Sequence, residues 1–213
     1  SLNEGMLLDR MEQYPVVVVP EQDGLPEALV AELTAYVRQG GRLLISGAQV
    51  ARELPNLTGV QAIDGALHNG GFLPAGNGVV HVAGPYQAAT LDGAVELAAL
   101  HFQQEPGRDR HDTPVATVHH LGQGKVVAIH GQVFGAYYVA HYAGMRRFIG
   151  DMMDALGSAD LMRLHGPWWV EMAARKRDDR LLIQFVNRAV GGTQSPQRHM
   201  VEHVPDAGPF TVT

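Results

Sequence analysis

The chain has 213 residues, 46% of them apolar and 18% charged, a balance that supplies a full α/β core with material for a smaller second unit and excludes intrinsic disorder. A net charge of −6, without a long lysine- or arginine-rich run, gives phosphate backbones and anionic membranes little to hold, so neither nucleic acid nor membrane is an expected partner. Cysteine is absent, which excludes disulfides, thiolate metal sites and thiol nucleophiles together. No stretch reaches the roughly 18 uninterrupted apolar residues of a membrane helix, and no charged leader precedes an apolar segment. A soluble chain is expected, with the cytoplasm favoured over other compartments.

Residues 1–14 read as a helix through Leu7, Leu8 and Met11, running into Val16-Val17-Val18-Val19, which has the character of a strand covered on both faces. No strand precedes this helix, so the fold is expected to begin upstream of Ser1. Pro26 suits the first turn of a second helix, whose stripe of Leu29, Val30, Leu33 and Val37 ends at Gly40-Gly41. Residues 42–46 return as an apolar strand. Strand, crossover helix and strand joined by short turns make a right-handed parallel unit. From Gly47 to Gly78, glycines and prolines interrupt every periodic run, and loop or irregular structure is expected. A strand over residues 79–82 and a helix over residues 90–104 follow.

Residues 115–120 and 125–129 form two β-like runs around Leu121-Gly122-Gln123-Gly124, the pattern of a hairpin. A long helix is expected over residues 136–156, through Tyr138, Val139, Tyr142, Met145, Phe148, Ile149, Met152, Met153 and Leu156, stopped by Gly157. Beyond it, residues 168–172 and 181–186 read as an antiparallel hairpin around a charged turn at residues 175–180. The tail carries turn residues and one possible strand, too little to close a sandwich.

Four segments carry a resemblance. Tyr14-Pro-Val-Val-Val-Val-Pro20-Glu21, the stretch from Tyr36 through Gly40-Gly41-Arg42-Leu43-Leu44-Ile45-Ser46-Gly47, the turn Gly122-Gln123-Gly124-Lys125-Val126-Val127, and Leu181-Leu-Ile-Gln-Phe-Val-Asn187 occur in one order across residues 14–187. The chain resembles the trimerisation domain of family 42 β-galactosidases and related glycoside hydrolases, a domain similar to class I glutamine amidotransferases. The resemblance implies a flavodoxin-like α/β domain over residues 1–157, with a mostly parallel sheet and helices on both faces, then a small incomplete antiparallel β domain over residues 158–213. It further implies that catalysis belongs to a separate (β/α)₈ barrel, with that barrel or sister subunits as partners. The amidotransferase cysteine would stand near Ser46-Gly47-Ala48, where this chain has no thiol, so glutaminase chemistry does not carry over.

Candidate side chains are few. Ser46 follows a strand, but Ile45-Ser46-Gly47-Ala48-Gln49 lacks the flanking glycines of a nucleophile elbow, and a capping or turn role is expected. His119-His120, His130 and His141 invite a metal, yet adjacent strand residues face opposite ways; His119 and His120 cannot share an ion, and His130 is placed to meet one of them across the hairpin. Gly122-Gln123-Gly124-Lys125 precedes a strand and is turn chemistry, not a phosphate loop. Asp151 and Asp154 are expected on a solvated helix face. Trp168-Trp169 and Tyr137-Tyr138 are the aromatics suited to stacking a sugar or meeting another domain. No catalytic residue, cofactor or metal is expected. The reading that follows is a non-catalytic interaction domain of a carbohydrate-active enzyme; a carbohydrate-binding module using Trp168 or Trp169, and a hydrolase built on Ser46 or a His119/His130 pair, are its alternatives.

Overall fold

The computed structural model describes residues 4–22, 24–105, 110–140, 142–157, 162–167, 169–188 and 206–213. The chain divides into two compact units, Ser1–Ser158 and Ala159–Thr213.

The first unit begins with α1 (Glu4–Arg10) and a 3-10 turn at Met11–Gln13, then β1 (Val16–Pro20), α2 (Glu27–Arg38) and β2 (Arg42–Ser46). β1 and β2 pair in parallel, Val16 opposite Arg42 through Pro20 opposite Ser46, as the short-turned strand–helix–strand pattern predicts. Two single-turn helices follow, α3 (Val50–Glu53) and α4 (Pro55–Thr58), then β3 (Val60–Ala75), β4 (Gly78–Leu91), β5 (Val95–His101), β6 (Arg110–Leu121), β7 (Gly124–Ile129), α5 (Val133–Ala140) and α6 (Ala143–Leu156). The seven strands form one sheet in the order β1-β2-β7-β6-β5-β3-β4.

This sheet is mixed, not mostly parallel. Among the described residues, β1–β2 and β2–β7 run parallel and the other neighbouring ladders run antiparallel. The turns are the cause: β6 and β7 are joined by Gly122-Gln123 alone, and β3 and β4 by Gly76-Asn77 alone, and a two-residue turn admits only antiparallel pairing. Gly122 and Gly76 both take φ of +63°, the left-handed conformation such turns require.

Strand alternation builds a core on each face. Leu43, Ile45, Val126 and Ala128 point to one side, where Leu29, Leu33 and Val37 of α2, Met11 and Leu57 pack on them. Leu44, Val127 and Ile129 point to the other, against Val133 of α5 and Met145, Phe148, Met152 and Leu156 of α6. β1 departs from the expectation of a strand covered on both faces: it is an edge strand, burying Val17 and Val19 while Val18 is 42% exposed.

Three further expectations give way. Residues 47–78 are not irregular, because β3 occupies half of them and α3 and α4 lie before it; Gly65 lies within one shift of register and Gly70 ends the next, so glycines that erase the periodicity mark irregularities in a real strand. Residues 90–104 are not a helix: the Ala- and Leu-rich run lies flat as β5 on β6, ladder pairing having overridden local helix propensity. The long helix of residues 136–156 is two helices, because Tyr142 is extended (φ −65°, ψ 133°), and Tyr138, Val139 and Tyr142 are exposed. Gly157 does end α6, at φ +67°.

In the second unit, β9 (Val170–Arg177) and β10 (Arg180–Asn187) form the expected antiparallel hairpin, closed by Asp178-Asp179. The first strand runs from Val170, after a turn at Trp169. β8 (Leu164–His165) pairs with β11 (Thr211–Val212), and the rings of Phe185 and Phe210 lie 4.8 Å apart.

Candidate functional site

Sheets of this kind hold ligands beyond the carboxyl ends of their parallel strands. Here those ends are Pro20, Ser46 and Ile129 of β1, β2 and β7. The chain closes this seat with its own groups. Glu21, at φ +47°, donates its N–H to the Ser46 carbonyl at 2.8 Å and lies 3.3 Å from the Ser46 hydroxyl. Its carboxylate accepts the N–H of Phe134 at 2.6 Å and of Gly135 at 2.9 Å, the first turn of α5. A helix N-terminus is an anion site by virtue of its unpaired N–H groups and dipole. That site is filled by a carboxylate from the chain itself.

Tyr86 covers the neighbouring position. It is 2% exposed and its ring lies on Gly131, where an added Cβ would stand 2.0 Å from a ring carbon. Among the described residues the buried phenol hydroxyl has no hydrogen-bond partner, and burial, helped by the Glu21 charge, pushes its pKa up. The phenolate is therefore suppressed.

Ser46 is fully buried and its hydroxyl faces the Glu21 N–H. His130 is also fully buried, with Nε2 3.1 Å from the Thr117 hydroxyl; burial lowers its pKa to about 4, so it is neutral at physiological pH. His119 is half-buried elsewhere. Its Nδ1 lies 3.0 Å from the Leu57 carbonyl, an acceptor only, so Nδ1 carries the proton, and its ring packs against Gly59. The register does not join His119 to His130: His119 pairs with Val126 and His120 with Lys125, four and five positions from His130, or about 13 Å for His119 at strand spacing.

Tyr137 packs half-buried against the core, and Tyr138 is 67% exposed. Trp169 is half-buried in the turn before β9, while Trp168 and His141 lie outside the described residues. Asp151 and Asp154 are exposed on α6. Among the described residues, no group of three or more His, Asp or Glu is arranged to hold a metal ion.

Glu21 and Tyr86 are the residues of this seat that sequence reasoning missed. One signal for Glu21 existed. α5 is preceded by Gly131-Gln132, with no Ser, Thr, Asp or Asn to cap it, so its N–H groups required an acceptor from elsewhere.

No protein-family profile matches this sequence, and no curated protein matches it. Solved structures do. An α-L-fucosidase isoenzyme 2 from Paenibacillus thiaminolyticus superposes with a TM-score of 0.68 at 14% identity, over 92% of this chain and 33% of that one. A catalytic mutant of a family 42 β-galactosidase from G. stearothermophilus gives 0.61 at 16% identity, over 83% of this chain and 26% of that one. One from Rahnella sp. R3 gives 0.59 at 16% identity, over 84% and 28%. The chain thus spans between a quarter and a third of the length of these structures, and at such identity the likeness is one of fold. The fold is one that solved glycoside hydrolases contain.

Proposed function

We propose that this chain is a non-catalytic interaction domain of a carbohydrate-active enzyme, of the flavodoxin-like, amidotransferase-related kind that family 42 β-galactosidases use for trimerisation, supporting contacts to a catalytic barrel or to sister subunits. One observation carries the reading. Where this topology offers a ligand seat, Glu21 occupies the N–H groups of α5 and Ser46, Tyr86 and His130 are buried, so the chain fills the seat itself. The outer surface supplies what an interface needs: Tyr138, Val139 and Tyr142 are 67%, 72% and 54% exposed around the α5–α6 junction, and aromatic residues are enriched where proteins meet. The likeness to portions of solved glycoside hydrolases supports the carbohydrate context.

The test uses the full-length protein that carries this chain. Val139→Asp is expected to disrupt its assembly in light scattering, while Ser46→Ala and His119→Gln leave glycosidase kcat unchanged. Loss of kcat in Ser46→Ala or His119→Gln with the assembly intact overturns the reading.

A further inference from the structure

Between α3 and β3 lies a depression of about 370 Å³ lined by Gln49, Arg52, Gly65, Leu67 and Gln87. An irregularity in the sheet builds it. The β3–β4 register jumps from Ala62 opposite Ala89 to Leu67 opposite Gln87, so residues 63–66 bow out of the ladder. Bulges of this type re-aim side chains beside binding sites.

Gln87 fastens the bow. It is 4% exposed, and its Nε2 donates to the carbonyls of Ile63 at 2.7 Å, Ala66 at 3.2 Å and Ala88 at 2.9 Å. The amide nitrogen is thereby consumed, and among the described residues no donor is bonded to its Oε1, which leaves that oxygen as the acceptor Gln87 brings to the lining. Arg52 lines the same depression and holds Asp64, carried on the bow, at 3.1 Å. Donors and acceptors are both present, and the Arg52–Asp64 pair carries no net charge. Gln49 adds a second amide. Leu67, 46% exposed, gives an apolar wall, and beside it Gly65 leaves open space where a Cβ would stand.

We propose that this depression binds one neutral monosaccharide unit. The Gln49 amide, the Gln87 carbonyl oxygen and the Arg52 guanidinium offer the mixed donors and acceptors that vicinal hydroxyls take, and Leu67 matches the C–H face of a sugar ring. The volume sits at the small end of the roughly 300–1,000 Å³ typical of small-molecule sites, which favours a single ring over a chain. An anion is disfavoured because Asp64 already holds Arg52, and an apolar ligand because it would strip water from amides without replacing their hydrogen bonds. Among the described residues the lining holds no aromatic platform, so half-saturation is expected on the order of millimolar. The inference goes beyond the interaction-domain reading, since a domain that only docks needs no sugar, and its failure leaves that reading standing.

The experiment is a ¹H–¹⁵N titration of the full 213-residue chain with galactose, glucose, mannose and fucose through the millimolar range, with glycerol and sodium phosphate as controls. At least one sugar is expected to shift, saturably, the backbone amides of Gln49, Arg52, Gly65 and Leu67 and the side-chain amide of Gln87. Arg52→Met and Gln49→Leu, each on an accessible wall, are expected to weaken that binding at least tenfold with the rest of the spectrum unchanged. The proposal is overturned if no sugar shifts these signals, if both variants bind as the parent does, or if glycerol or phosphate reproduces the shifts.

Discussion

The carboxylate of Glu21, one residue past β1, accepts the N–H of Gly135 through both oxygens, at 3.1 and 2.9 Å, across 114 residues of sequence. This bond ties the first crossover of the fold to its last helical layer. It also explains a left-handed backbone at a residue other than glycine: Glu21 at φ +47° tolerates that conformation because a charge-assisted contact with a helix N-terminus offsets it.

Glu21→Gln keeps the reach and one acceptor oxygen but removes the charge, and Glu21→Ala removes both. The alanine variant is expected to lose about 1–2 kcal/mol and the glutamine variant less, by the magnitudes of caps and helix-dipole contacts. Urea midpoints at unchanged m-value measure this, and equal stability of all three proteins would remove the capping role.

Tyr86 and Gly131 bear on packing in opposite senses. Tyr86→Phe deletes a buried hydroxyl that has no partner among the described residues and is expected to be neutral or stabilising by ~1 kcal/mol. Gly131→Ala drives a methyl into the Tyr86 ring and is expected to cost roughly 1–3 kcal/mol. Thermal melts of both variants, and of the pair, report the coupling.

His130 makes stability depend on pH. Its folded pKa is about 4, below the ordinary histidine value of 6.5, so the unfolded chain binds more protons between the two values. The contribution is fully present above about pH 6.5 and is lost as pH falls through the folded pKa, amounting to about 3 kcal/mol at most. Stability measured from pH 7 to pH 4 should fall less steeply in His130→Gln than in the parent. Parallel curves would show that His130 does not titrate in this window.

Gln87→Leu leaves the carbonyls of Ile63, Ala66 and Ala88 without their donor, at an expected cost of about 1–3 kcal/mol. The loss should be local. Amide hydrogen exchange is expected to accelerate around the bow of residues 63–66 and to remain at parent rates in β2 and β7.

Much of the fold was legible because it is written in local patterns. The consecutive valines of β1, the stripe of α2 and the Gly122-Gln123 turn each bury or bend in a way that neighbouring residues dictate. β5 was not legible, since an Ala- and Leu-rich run favours a helix until β6 supplies hydrogen bonds at its edge. The candidate site was legible only in part. Ser46 and His130 stand out in the sequence as residue types but not as buried ones, and nothing local marks Glu21, Tyr86 or Gln87, because the groups that place them lie mostly 21 to 114 positions away.

The sequence by itself determined that no thiol chemistry is available, that two apolar faces would need covering, and that the chain turns at Gly122-Gln123, because composition, periodicity and glycine conformation act over a few residues. Only the tertiary structure decided that the sheet is mixed, that the ligand seat is filled by Glu21 and Tyr86, and that Gln87 clasps a bulge beside Arg52. Those outcomes depend on which distant strands become neighbours, and long-range pairing leaves no periodic mark in the chain that makes it.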